Sequence, residues 1–109
     1  MYVRVLGSAA GGGYPQWICN PPNSRKARLA DSGAMARTQS SIAVCEDGDN
    51  WCLFNASPDL RQQINENSIL HPKNSLRHSP IKAVLLTNAD VDHVAGLLNL
   101  RESQPLNLY

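Results

Sequence analysis

Short apolar runs, punctuated by glycine, proline and asparagine, lay out this chain. YVRVL (Tyr2–Leu6) reads as a first strand, stopped by the glycine-rich turn GSAAGGG (Gly7–Gly13). SSIAVCEDGDNWCLFNAS (Ser41–Ser57) has the pattern of a hairpin, with strand-like runs on either side of DGDN. With Cys45 opposite Cys52, one face would carry Ile42, Val44, Trp51 and Leu53, and the other Ala43, Cys45, Cys52 and Phe54. Both faces are apolar, which places the hairpin inside a layered fold.

Ser57-Pro58-Asp59 predicts a helix start: a capping hydroxyl, a proline at the first helical position and an acid near the positive dipole end. LRQQI puts Leu60 and Ile64 on one face of that helix, which should give out near Asn67. IKAVLLT (Ile81–Thr87) is a continuous apolar run, as expected of a buried strand. Val94, Leu97, Leu98 and Arg101 then recur at helical spacing, and PLNLY begins another strand that ends at Tyr109. A strand without its partner is a poor place for a domain to finish. The expectation is therefore that residues 1–109 are the N-terminal part of a single larger domain.

Composition narrows the class. Hydrophobic residues are 42% and charged residues 17%, a soluble globular balance. A net charge of +1 argues against an electrostatic grip on nucleic acid or an anionic membrane. RKAR (Arg25–Arg28), the dense basic cluster, falls in a Pro/Asn/Ser-rich stretch that reads as a solvated loop. Residues 14–37 are long for a structureless connection, and such loops are often functional or held by something. No apolar run nears the roughly 18 residues of a membrane span. Three cysteines without a CxxC pattern point to a reducing cytoplasm and to Cys45 and Cys52 as small core residues. His71 and His78 read as solvent-facing loop residues.

The chemistry gathers in TNADVDH (Thr87–His93), where a buried strand should end and a helix begin. Carboxylates there must be paired, hydrogen-bonded, protonated or metal-bound, and the stretch holds no basic partner. Asp90 and Asp92, two apart, point the same way on extended backbone, and His93 follows them. Such a set can converge on a cation that accepts oxygen and nitrogen donors: iron, manganese or zinc. Equally, Asp92 could cap the helix, with His93 in its first turn. Spacing alone leaves both open.

TNADVDHVAG is similar to the metallo-β-lactamase superfamily signature THxHxDHxxG, with Thr87, Asp92, His93 and Gly96 matching and Asn88 and Asp90 in place of histidines. VLGSAAGGGYPQW, ARTQSSIAV, FNASPDLRQQI, LRHSPIKAVLLTNADVDHVAGLLNLRE and QPLNLY resemble, in order, the pyrroloquinoline quinone (PQQ) biosynthesis protein B family. That resemblance implies an α/β (α+β) fold, the αββα sandwich with metals at one edge of its sheets, of which this chain would be the N-terminal portion. It also implies a metal site of Asp90, Asp92 and His93, with Thr87 and Asn88 orienting the loop or the substrate through hydrogen bonds.

The departures shift the expected metal. Carboxylate-rich ligation with one histidine favours iron(II), with zinc or manganese as alternatives. The family is associated with an iron-dependent, O2-using hydroxylation of the tyrosine ring in a crosslinked Glu–Tyr precursor of PQQ. It has also been linked to carrying PQQ to the periplasm, and the parent superfamily contains metal-dependent hydrolases. The partners implied are the small crosslinked precursor and O2, with room for a homo-oligomer and no membrane insertion. A CxCxxC cluster common in the family is reduced here to Cys19, with Pro21 and Ser24 at the other positions. One thiolate cannot build a closed four-ligand site, so no structural zinc is expected.

Overall fold

A computed structural model describes residues 1–31 and 33–109. Strands β1 (Tyr2–Gly7), β2 (Ser41–Cys45), β3 (Trp51–Phe54), β4 (Ile81–Leu85) and β5 (Asn107–Leu108) form one sheet in that order. β1, β2 and β3 pair antiparallel, whereas β4 joins β3, and β5 joins β4, in parallel. Helices α1 (Pro22–Arg28), α2 (Leu60–Glu66) and α3 (Val91–Val94) supply the α component. The expected apolar runs all become strands; β2, β3 and β4 carry the buried positions, whereas β1 is buried only at Leu6 and β5 is exposed.

The hairpin differs from its sequence reading by one residue. Cys45 pairs with Trp51, and Val44 with Cys52. The buried face is therefore Ser41, Ala43, Cys45, Trp51 and Leu53, while Ile42, Val44, Cys52 and Phe54 are half-buried on the other. The cause is the turn, which spans the five residues 46–50 rather than the four of DGDN. Asp47 organises it by accepting from the Asn50 side chain, from the Asn50 and Asp49 amides and from the Cys45 thiol. Those bonds, the Asn50 side chain foremost, hold the Asp47 carboxyl well below the usual carboxylate range. Cys45 joins the core as expected, whereas Cys52 is only half-buried on the other face, where burial pushes its thiol up.

Leu53, Leu60, Leu70 and Val84 are almost fully buried and join Leu6, Trp51 and Ile81 in the core. Each such side chain contributes about 1.5–3 kcal/mol by leaving water. α2 lies against this face through Leu60 and Ile64. It begins two residues later than the sequence suggests. Ser57-Pro58-Asp59 forms the preceding turn, in which the Ser57 hydroxyl accepts from the Asp59 amide at 3.2 Å. The helix stops at Glu66, and His71 donates from Nε2 to the carbonyl of Ile64 at its C-terminal end, a partner the loop reading did not foresee.

RKAR is helical, not loop: Pro22 sits where a missing N–H costs nothing, and Ala27 is buried. The excursion of residues 14–37 is closed at its base, where Tyr14 and Arg37 exchange backbone bonds of 2.8 and 2.7 Å. The helix expected from Val94 instead starts at Val91, and Ala95–Asn99 tightens to 3₁₀ geometry, leaving Leu98 exposed. No helix among the described residues is long and apolar enough to cross a membrane.

Candidate metal site

β4 ends at Leu85, and the chain reaches α3 through TNADVDH. The exit from β3 holds both ends of this loop. Asn55 takes a left-handed conformation (φ 66) and accepts at Oδ1 from the Thr87 amide and hydroxyl at 2.9 and 3.0 Å. Its own amide donates to Leu85. Further on, the Ala56 amide donates to the His93 carbonyl at 2.7 Å and accepts at its own carbonyl from Gly96 at 2.8 Å. Gly96 has no room for a side chain, since a Cβ would lie 2.1 Å from the Ser57 carbonyl oxygen.

Within the loop, Asn88 Oδ1 accepts from the Asp90 amide and from His93 Nδ1. A hydrogen on Nδ1 leaves Nε2 of a neutral imidazole with its lone pair free, the state a metal ligand needs. Nε2 faces Asp92 Oδ2 at 3.8 Å, and both side chains are mostly shielded from water. Asp90 is placed differently. Its carbonyl accepts from the His93 and Val94 amides at the start of α3, while the residue itself is exposed. Asp92 and His93 are thus brought together, and the Asp90 side chain would have to turn to reach them. Among the described residues, no three His, Cys, Asp or Glu side chains form a metal-holding group. The donors fit a divalent cation in type and tautomer but supply two convergent positions. Thr87 and Asn88 both make the hydrogen bonds that hold the loop.

The glycine-rich turn also reaches this site. A Cβ on Gly11 would lie 3.2 Å from Asp92 Oδ2. The Gly12 amide donates to Gln39 Oε1, and Gln39 donates from its amide and Nε2 to Asp59 Oδ2. Asn55, Gln39 and Gly11 were not singled out from the sequence. A glycine run flagged the last, but its neighbour Asp92 is far along the chain. An open groove of about 610 Å³ runs beside the same turn, lined by Tyr14, Arg37, Asp59 and Glu66 among others, without Asp92 or His93. Cys19 donates to Gln16 Oε1 at 3.5 Å, and Ser24 is buried in α1.

The chain is 63% identical over its whole length to coenzyme PQQ synthesis protein B of Methylorubrum extorquens, covering 36% of that protein. It is 60% identical over its whole length to the protein of the same name from Xanthomonas oryzae pv. oryzae, again covering 36%. The chain thus spans little more than a third of the length of these relatives. The crystal structure of Zn(2+)-bound PqqB from Methylobacterium extorquens superposes on all of it with a TM-score of 0.96, at 63% identity and over 36% of that chain. A diphosphatase of the PhnP family matches 91% of this chain and 34% of its own with a TM-score of 0.69, at 27% identity. The beta-lactamase superfamily domain matches residues 50–109, from the second hairpin strand through the acidic loop to Tyr109. The chain belongs to the beta-lactamase superfamily, and it is to coenzyme PQQ synthesis protein B that its whole length corresponds.

Proposed function

We propose that this chain belongs to an oxygen-using enzyme of PQQ assembly in the cytoplasm, and that Asp92 and His93, joined by Asp90, hold its iron(II). The observation that carries this reading is the Asp92–His93 pair, with Nδ1 of the imidazole engaged by Asn88 and Nε2 turned to the carboxylate. The zinc-bound relative at 63% identity supports a metal in this fold. Zinc or manganese could occupy the same donors. A carboxylate-rich set with one imidazole favours iron(II) over the histidine-rich sites that suit zinc.

The bound metal would supply activation of O2 for hydroxylation of the tyrosine ring in the crosslinked Glu–Tyr precursor, one oxygen atom entering the ring and the other leaving as water with two electrons from an external reductant. The chain's own part is to orient. Asn88 fixes the imidazole tautomer, and Thr87 ties the loop to Asn55. The glycine turn keeps side chains away from Asp92. A metal-dependent hydrolase is the second reading, favoured by the likeness to the diphosphatase and weakened by Asn88 and Asp90, which replace imidazoles that would hold zinc. A PQQ carrier would need no metal.

Anaerobic loading with iron(II), followed by O2 and detection of hydroxylated product, tests this. Asp92→Ala and His93→Ala should each lower iron affinity at least about 100-fold and abolish product. Unchanged turnover in Asp92→Ala would end the proposal. Tight quinone binding with no metal dependence would favour the carrier, and zinc-dependent ester cleavage the hydrolase.

A further inference from the structure

We infer that Gly11 is a positioning residue for Asp92: the glycine turn is held so close to this carboxylate that a side chain at position 11 displaces it and weakens the site's hold on a divalent cation. This rests on Asp92 and His93 being metal ligands. A Cβ on Gly11 would lie 3.2 Å from Asp92 Oδ2, 3.4 Å from Cγ and 3.6 Å from Cβ. The 3.2 Å approach asks Asp92 Oδ2 to give by a few tenths of an ångström, while the other two distances are ordinary contacts. Gly11 itself is exposed and its φ is not in the left-handed region, unlike Gly12 and Gly13. Substitution there therefore meets Asp92 rather than backbone strain or core packing.

Neither backbone can easily retreat. The turn is anchored before Gly11 by the Ser8 and Ala9 amides, which donate to Thr38 at 3.0 and 2.9 Å, and by Ser40, which donates to Ala9 at 2.8 Å. After it, the Gly13 amide donates to Ala10, and Gly12 is tied through Gln39 to Asp59. Gln39 is buried, so its two-ended bridge is not readily exchanged for water. On the facing side, the backbone of α3 is fixed by the Ala56–His93 bond. What remains free to move is the Asp92 side chain, the group that faces His93 Nε2 at 3.8 Å.

The test measures zinc(II) affinity by competition with a chromophoric chelator in the whole polypeptide carrying these residues, alongside melting of the metal-free protein. Gly11→Ala should weaken zinc binding about tenfold and Gly11→Val further, with melting temperatures unchanged. Gly33→Ala, where nothing lies within 4 Å of the new Cβ, should bind as the parent does. If both Gly11 variants keep parental affinity while Asp92→Ala loses it, the positioning role is wrong and the metal site stands. If Asp92→Ala also binds zinc as the parent does, the site reading falls and takes this inference with it. A loss of affinity that merely tracks a fall in melting temperature overturns the role as well.

Discussion

At the scale of single residues, Asn55 has the most consequences per atom. Its left-handed backbone turns the chain out of β3, and its carboxamide oxygen receives both donors of Thr87. Asn55→Gly keeps the backbone free to turn and loses the side-chain bonds, a cost of about 1 kcal/mol. Asn55→Ala loses the same bonds and adds left-handed strain, for about 2 kcal/mol in total. Urea denaturation of the two variants separates the terms, and equal losses would show that the φ value contributes nothing. Sequence could name the acidic loop because carboxylates without a basic neighbour are visible in a short window. Asn55 was invisible in this role because its partner lies 32 residues away. Asn88 was legible as an orienting residue only after the superfamily pattern showed it standing in place of a ligand, and its bond to His93 gives that role a geometry.

At the scale of elements, local pattern succeeded wherever burial dictated the conformation and failed at turns and helix ends. β4 is legible from IKAVLL because a strand covered on both faces needs no polar alternation. α1 was missed because Pro21 and Pro22 read as loop residues, although a proline in the first helical turn is a start signal. The hairpin faces were exchanged because a longer turn built on Asp47 alters the pairing by one, and one residue is enough to turn a strand over. The helix after the acidic loop is cut short at Gly96, whose amide donates to Ala56 across the sheet edge instead of continuing an α-helical ladder. Gly96→Ala would drive a methyl into the Ser57 and Ala56 backbone, which cannot swing aside. The expected cost is about 3 kcal/mol, read as a lowered urea midpoint, with weakened zinc binding because the same contact fixes His93. Parental stability in this variant would show that the α3 segment can lift from the β3 exit without loss.

At the scale of the whole molecule, the core and the candidate site are built from different parts of the chain. Leu53, Leu60, Leu70 and Val84 fill the interior, while Asp92 and His93 stand in the short helix α3, beyond the end of β4. The loop is held by hydrogen bonds between protein groups, from Thr87 to Asn55 and between Ala56 and both His93 and Gly96. Such bonding predicts that a cation adds to the fold rather than creating it, unlike the metal of a zinc finger. Two convergent donors also make a modest grip, and at free metal tenfold above Kd the linkage gain is about 1.4 kcal/mol. Chelation should leave the far-ultraviolet circular dichroism unchanged and lower the unfolding free energy by no more than about 1.4 kcal/mol. Added zinc should restore that difference in the parent and not in Asp92→Ala. Loss of secondary structure on chelation would mean that metal holds the sheet together and that core and site are one unit.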